Sequence, residues 1–446
     1  MVNNPNLEGG AEIRNGRLMN NVERYPLLVG AAQGSTLYNE GCADKKKWMH
    51  AEPMPYGLLD YWGDEGVCSL GYNSPEVFRA IHKFLGTGYP HQLPDIYPHP
   101  LRYQLADMLC ERTGMDRVFL ANSGTEANES AIKIARKYWW DRGKHTKYDD
   151  KVAERHIIFT IEGNFHGRTG LSLAAGDFRV SPYHRWGFGP LPEGFAVLTA
   201  DPDWTRPVFK QVVSNGEEHE PVEPDWESAA AIILAPVLGN NCVRTYPQAF
   251  FDELMYIRQK YGVLLIFDDV QAGSGRAGAY ATWQHYNVKP DIMTLAKGMA
   301  MGFPMSAMLA TEKVARTFTP GVHFNTFGGS PFVCHMAIEM LRWLDDHMEE
   351  INEKGKFIRE WLASLDDCIG AVDGIGMLNA FTPVWDELPF DGFQLIREAR
   401  KHGLSMATHR ASGPVRFTPP LNVAMEEINT AIDKLHKSMC VLKGES

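Results

Sequence analysis

YGVLLIFDDVQAGSGRAG (Tyr261–Gly278) and PDIMTLAKGMAMGFPMSA (Pro290–Ala307) decide how this chain folds. Val263–Phe267 is a short apolar run closed by the acidic pair Asp268–Asp269. A run of that length with no polar alternation predicts a strand buried on both faces, as in a parallel sheet covered by helices. Ile292–Leu295 reads as a second such strand and leads into Lys297, with Gly298 and Gly302 beyond it. An acid and a lysine are thus expected at the ends of two strands, the edge at which α/β sheets bind their ligands.

That pair suits one chemistry. Lysine condenses with an aldehyde to a Schiff base, and pyridoxal phosphate needs both a lysine and an acid for its pyridine nitrogen. By themselves the two residues read better as a loop cap and a solvated lysine, and the surrounding motifs reverse that reading. In DRVFLANSGTEANESAIKIARKYWW (Asp116–Trp140), Val118–Leu120 reads as a strand and Asn122–Thr125 as a turn. A helix follows, with Ala127, Ala131, Ile134, Ala135 and Tyr138 along one side. Ser123, Gly124 and Thr125 would place free backbone N–H groups at the positive end of that helix, a phosphate site. RHIIFTI (Arg155–Ile161) is another buried strand, followed by EGNFHGRTG (Glu162–Gly170). There Phe165 or His166 offers a flat ring for stacking on an aromatic cofactor, and Arg168 offers a clamp for a carboxylate.

The rest of the chain sets bounds. With 446 residues it is long enough for two or three domains, and a net charge of −11 with acidic runs excludes a nucleic-acid surface. No apolar run reaches the roughly 20 residues of a membrane span, and the polar first residues have no signal-peptide core. Seven scattered cysteines without a CxxC pair read as reduced thiols of a cytoplasmic protein, with no metal site. A strand pair is expected between Tyr25 and Asn39. Ala43–Gly66 reads as a loop at an active-site mouth, and helices are expected from Pro75 and over Pro100–Arg112. Residues 201–227 read as an insertion. Ala229–Val237 is expected as one strand, Gln248–Tyr261 as a helix and Phe332–Leu344 as a long helix continued by a charged one. GIGMLNAF (Gly374–Phe381) is strand-like, FQLIREARKHG and MEEINTAIDKLHKSM are helical, and VRFTPPL holds a strand end. The domain expectation is an N-terminal segment and entrance loop (1–75), a large cofactor-binding domain (76–330) and a small C-terminal domain (331–446).

Taken together, FLANSGTEANESAIKIAR, NFHGRT, LLIFDDVQAGSGRAG, PDIMTLAKGMAMGFP, NTFGGSP and VRFTPPL resemble the class III, ornithine/acetylornithine-type aminotransferases. The resemblance runs from about Tyr25 to the end. It implies an α/β protein of fold type I, with a mostly parallel central sheet and a smaller α/β C-terminal domain. It implies an enzyme that uses pyridoxal 5′-phosphate to move an amino group between an amino acid or amine and a 2-oxo acid, 2-oxoglutarate/glutamate foremost. Racemases, epimerases, aminomutases and decarboxylases share the fold and form the alternative. Lys297 would be the Schiff-base lysine and Asp268 the partner of the ring nitrogen. Gln271 would lie near the ring hydroxyl, Val270 under the ring and Phe165 over it, with Gly124 and Thr125 on the phosphate. Thr326 would reach the phosphate of a neighbouring subunit in a homodimer with shared sites. Arg416 matches the arginine for the substrate α-carboxylate, and Arg168 the one for the distal carboxylate of glutamate.

The chain departs from the pattern in several places. APVLGNNC (Ala235–Cys242) stands where the family reads EPVQGEGG, so Ala235 replaces the glutamate that neutralises the α-carboxylate arginine in ornithine-type members. Leu238 and Asn240 replace further polar residues, Asp269 shortens a Glu, Ser306 and Ser330 replace a glycine and an asparagine, and Ala43–Gly57 adds length. An arginine cannot shed its charge. Arg416 is therefore expected either to find another anion, from Ala43–Gly66 or a partner subunit, or to stay ready for a substrate carboxylate.

Overall fold

The computed structural model describes residues 29–39, 58–143, 153–177, 184–200, 204, 208–213, 221–239, 243–365, 368–384, 388–408 and 412–445. The expected tail, the added length at Ala43–Gly57, Asn240, Cys242 and much of the 201–227 insertion lie outside the described residues.

An eight-stranded sheet forms the centre. From one edge its strands are Arg117–Ala121, Ser306–Ala310, Ile292–Leu295, Leu264–Asp268, Ala229–Leu234, Ile157–Ile161, Phe195–Thr199 and Lys210–Val213. The middle five run parallel, and antiparallel pairs occur only towards the edges. Every residue of Ala229–Leu234 and Leu264–Asp268 is buried. Their side chains alternate between two cores: Leu264 and Ile266 join Ala131, Ile134 and Ile233 on one face. Leu265 and Phe267 join Phe159, Ile232 and Phe251 on the other. Helix Gly124–Trp140 covers the first face with a stripe of alanines and isoleucines, and helix Gln248–Tyr261 contributes to the second with Phe250, Phe251 and Leu254. Both faces being covered is why these strands read as unbroken apolar runs.

Ala229–Val237, expected as one strand, divides into Ala229–Leu234 and Val237–Leu238, the second pairing with Arg244–Thr245. Part of the expected insertion forms the edge strand Lys210–Val213.

Beyond the sheet one helix runs unbroken over 33 residues, Pro331–Ala363. The charged helix expected to continue from Leu344 is part of the same helix. The charged segment there faces solvent while Ile351, Gly355, Ile358 and Leu362 continue the buried stripe. At Gly355 a Cβ would lie 1.8 Å from the Gly376 carbonyl oxygen, so the helix crosses a turn that only glycine admits. That turn also corrects the single strand expected at GIGMLNAF: strands Ile369–Ile375 and Leu378–Pro383 form an antiparallel hairpin, to which Val415–Phe417 adds a third strand. Helices Gly392–Lys401 and Met425–Lys443 complete this part.

The residues before 75 do not stand apart from the C-terminal part. The hairpin Val29–Gln33/Thr36–Asn39 pairs with Leu58–Asp60, which pairs in parallel with Leu404–Ser405. Ser35 Oγ donates to Glu427 Oε1 at 2.6 Å, and the Thr418 N–H donates to the Tyr61 carbonyl at 2.9 Å. These contacts bring the short helix Gly63–Gly66 to the strand that carries Arg416.

Candidate active site

Asp268 is the last residue of its strand and is 5% exposed. Its Oδ2 accepts from Asn128 Nδ2 at 2.8 Å and faces His166 Nδ1 at 2.7 Å. Its Oδ1 accepts from the Val270 N–H at 3.1 Å and lies 3.5 Å from Thr294 Oγ1. Asn128 also donates to the His166 carbonyl at 2.7 Å, and its own oxygen accepts from Thr294 at 2.8 Å. An amide, an imidazole, a backbone N–H and a hydroxyl thus hold the carboxylate in one orientation. The one proton of the Thr294 hydroxyl goes to Asn128 at 2.8 Å, so three donors, Asn128, His166 and the Val270 N–H, bond the carboxylate directly, and one of its about four acceptor sites is left for a further proton donor.

His166 does not present a stacking face. Its ring is buried between Asp268 and Thr160, whose Oγ1 lies 3.1 Å from Nε2. Phe165, the next residue back, is exposed, with Arg168 5.9 Å from its ring centre. Of the two expected ring partners, Phe165 has the exposed ring and His166 the buried one.

The parallel register sets Asp268 beside Thr294, so Lys297 leaves the neighbouring strand at the same edge. Lys297 begins the 3₁₀ turn Lys297–Ala300 with φ 42°, in the left-handed region that side chains other than glycine seldom occupy. Such strain persists only where the surroundings enforce it. Ser69 helps to do so, donating to the Gly298 carbonyl at 3.2 Å.

Ser123 caps helix Gly124–Trp140, its Oγ accepting from the Glu126 N–H at 3.4 Å. Gly124 and Thr125 therefore carry first-turn N–H groups that the helix itself cannot satisfy. A Cβ on Gly124 would sit 2.6 Å from Val270 Cγ1, so the glycine lets Val270 close on the helix end. Thr125 Oγ1 lies 2.7 Å from Thr169 Oγ1 and 2.5 Å from Ser172 Oγ, and a Cβ on Gly167 would meet it at 2.4 Å. Thr326 is exposed on its loop, with its carbonyl accepting from Gln92 at 3.2 Å.

Asp269 points the other way. It is buried and takes the Thr282 N–H at 2.8 Å and the Thr282 hydroxyl. Burial pushes its carboxyl up to about 8, against the Thr282 N–H and with the help of the Asp268 charge.

Arg416, on the central residue of strand Val415–Phe417, is buried and paired. Its Nη1 donates to Glu65 Oε2 at 2.6 Å and to the Gly239 carbonyl at 3.3 Å, and its Nη2 donates to Glu65 Oε1 at 3.1 Å. Gln271 Nε2 donates to the Glu65 carbonyl at 3.1 Å and to Glu65 Oε2 at 3.3 Å. Burial alone would raise the Glu65 carboxyl. The Arg416 charge and hydrogen bonds, and then the Lys297 charge, hold it down at about 2. Of the two expectations for Arg416, the structure therefore bears out the first: it has found an anion, and that anion comes from the Ala43–Gly66 segment. Ala235 donates its N–H to Asn164 Oδ1 at 2.6 Å and offers no acid. Arg168 is exposed, its Nη2 3.1 Å from His184 Nε2.

Asn128, Thr294 and Glu65 went unnoticed in the motif reading. Asn128 carried a usable signal: it is a polar residue one turn after Gly124, beside the small buried residues Ala127 and Ala131. Glu65 carried none beyond the missing acid at position 235.

The arrangement fits pyridoxal phosphate on three counts. A buried, oriented carboxylate faces the strand edge, a strained lysine emerges beside it, and a helix N-terminus lies between glycines that a Cβ would obstruct. The comparisons agree. The model of the aminotransferase class-III family matches residues 56–439. Acetylornithine aminotransferase of Aquifex aeolicus is 33% identical over 425 residues, covering 94% of this chain and 99% of that protein. Its counterpart in Synechocystis is 32% identical over 433 residues, covering 95% and 92%. Among solved structures, ornithine aminotransferase of Toxoplasma gondii superposes with a TM-score of 0.78 at 24% identity, covering 96% of this chain and 93% of its own. An aminotransferase of Bacillus anthracis superposes with a TM-score of 0.78 at 25% identity, covering 95% and 96%.

Proposed function

The chain belongs to the class-III aminotransferases; it is a pyridoxal 5′-phosphate-dependent enzyme that transfers amino groups, and from that premise we propose a division of labour among its residues. When bound, pyridoxal phosphate supplies the sink for the electron pair left as a substrate C–H bond breaks. Asp268 carries the negative charge that keeps the ring nitrogen protonated, and Asn128, His166 and Thr294 keep that carboxylate aimed. Lys297 is the covalent tether. When freed from the cofactor, Lys297 Nζ would take the proton from the amine-bearing carbon and deliver it to the cofactor carbon that had been bonded to the lysine, and would carry it back in the reverse half. Ser123, Gly124 and Thr125 hold the phosphate. Val270 and Phe165 bound the ring plane, and Gln271 stands at its edge.

The acceptor we propose is 2-oxoglutarate, with Arg416 on the carboxylate beside the reacting carbon and Arg168 on the distal one. The donor is an amino acid whose reacting amine ends an aliphatic chain, as the names of the acetylornithine and ornithine relatives suggest. The expectation that Ala235 leaves Arg416 open for α-carboxylates loses its ground with Glu65 on that arginine. Two copies form the working unit. Ile96 and Tyr97 lie on a segment tied through Arg102 to Gly329, close to Phe324, exposed Thr326 and Phe327, and all four apolar side chains are more than half exposed. So much exposed apolar surface marks an interface. We place the enzyme in the cytoplasm. The thiols of Cys110, Cys334, Cys368 and Cys440 suit a reducing compartment, and no helix among the described residues is long and apolar enough to cross a membrane.

The observation that carries this reading is the buried Asp268 carboxylate, held by Asn128 and His166 at the strand edge from which Lys297 emerges. The test is a pair of half-reactions on protein loaded with pyridoxal phosphate. An amino donor should discharge the visible absorbance, and 2-oxoglutarate should restore it with one glutamate formed per turnover. Inversion of an amino acid with no need of an acceptor, and no glutamate, overturns it.

A further inference from the structure

This inference rests on the reading of Arg416 as a carboxylate-binding residue. We propose that Glu65 is the specificity latch of the site: it occupies Arg416 until a substrate carboxylate displaces it, and it stays in place when the substrate brings none there.

The geometry makes Glu65 and a substrate carboxylate rivals for one end of the guanidinium. The two Glu65 oxygens accept one bond each from the two terminal nitrogens of Arg416, at 2.6 and 3.1 Å. That planar fork is the one a substrate carboxylate would use. A substrate carboxylate that takes this fork displaces Glu65 from it.

The partner that moves is the acid. The Arg416 side chain is 3% exposed, whereas that of Glu65 is 34% exposed. Arg416 is fixed in a strand and braced by the Gly239 carbonyl. Glu65 sits in a four-residue helix bounded by Gly63 and Gly66, and all three residues have left-handed φ values, 61°, 58° and 90°. Short, strained and flanked by glycines, this segment can turn its side chain outward, and what the turn breaks is the carboxylate's bonds to Arg416 and Gln271, the first of which a substrate carboxylate replaces. Gln271 Nε2 holds the Glu65 carbonyl as well as the carboxylate, so the segment keeps its place when the carboxylate leaves.

The chemistry explains why a latch is present at all. A buried guanidinium left uncompensated is costly, because arginine stays charged. A donor with its amine on a terminal carbon brings no carboxylate to Arg416, and Ala235 has none to lend. Glu65 covers the charge during that half of the cycle. During the other half, 2-oxoglutarate replaces it.

The experiment compares wild type, Glu65→Gln, Arg416→Ala and the double variant in two ways. Cofactor-free protein is titrated calorimetrically with glutarate, a five-carbon dicarboxylate with no amine or keto group. Loaded protein is then assayed for half-reaction with glutamate and with 1,4-diaminobutane, which has no carboxylate. With the latch removed, Glu65→Gln should bind glutarate about tenfold tighter, equivalent to about 1.4 kcal/mol, and its preference for glutamate over the diamine should rise about tenfold. Arg416→Ala should lose at least about tenfold in glutarate affinity, and adding Glu65→Gln to it should change nothing further. If Arg416→Ala loses glutarate while Glu65→Gln stays within about twofold of wild type in both readouts, the latch is wrong and the arginine reading stands. If Arg416→Ala binds glutarate as wild type does, the arginine reading fails and the latch with it. Should Glu65→Gln not fold, Glu65→Asp, one methylene short of the fork, must shift both readouts in the same direction or the proposal falls.

Discussion

The two ends of the site are built in opposite ways. At one end Asp268 is buried at the tip of a central strand and held by donors from a helix, a loop and the adjacent strand. At the other end Arg416 is also buried, but its counter-charge is a glutamate one-third exposed on a strained four-residue helix. The first end has no freedom to turn, and the second has one replaceable member. Rigidity is placed where every substrate needs the same electronic partner, and adaptability where substrates differ.

Lys297→Ala tests the rigid end most severely. Turnover should vanish while the fold and non-covalent cofactor binding remain, because tether and proton carrier are lost together; any variant turning over at more than a small fraction of wild type breaks the assignment. Asp268→Asn should lower the rate on the order of 10²-fold or more, as removal of a preorganised charge does, with Asp268→Glu far less damaged. If the amide works nearly as well, the rigid end is not electronic.

Asn128→Ala sharpens the contrast. It leaves Asp268 in place but removes the amide between it and the His166 carbonyl. A loss of roughly tenfold in kcat with little change in KM is expected for an aiming role. A KM effect alone would put Asn128 on substrate binding. At the adaptable end, Arg416→Ala should raise the apparent KM for 2-oxoglutarate at least about tenfold, and an unchanged KM would remove the contrast altogether.

The smallest effect concerns Asp269, which stands next to Asp268 yet serves the fold. Its folded value of about 8 lies above the roughly 3.9 of an unfolded aspartate. Between those values the folded chain holds a proton that the unfolded chain lacks. Stability from this group is therefore complete below about pH 4 and is lost as pH rises through about 8. Asp269→Asn should keep activity at neutral pH and lose this part of the alkaline decline in Tm, a difference of roughly 2–4 °C. An identical decline in both proteins would mean that Asp269 is already ionised.

How far the sequence could be read follows the same division. The parallel strands, the lysine, the aspartate and the capped helix lie in short contiguous motifs whose residue types name their own roles. The length of helix Pro331–Ala363 was hidden because Asp345–Glu350 interrupts the apolar rhythm with solvent-facing charge. The hairpin at Gly376 was hidden because its two strands are both apolar and separated by so few residues. Glu65 was beyond reach for a different reason: it lies 351 positions from its partner, and no local pattern links them. Only the absence of an acid at Ala235 showed that a partner had to exist.

That separation bears on how the protein is made. Leu58–Asp60 gains its parallel neighbour from Leu404–Ser405, and Ser35 bonds to Glu427 across 392 positions. Contacts between such distant residues form late, since the chain must close a very long loop before they contribute anything. On the ribosome the lysine and aspartate strands can assemble while Arg416 is still unsynthesised. The capacity to do chemistry is therefore encoded in the middle of the message, and the capacity to choose a substrate waits for both of its ends to meet.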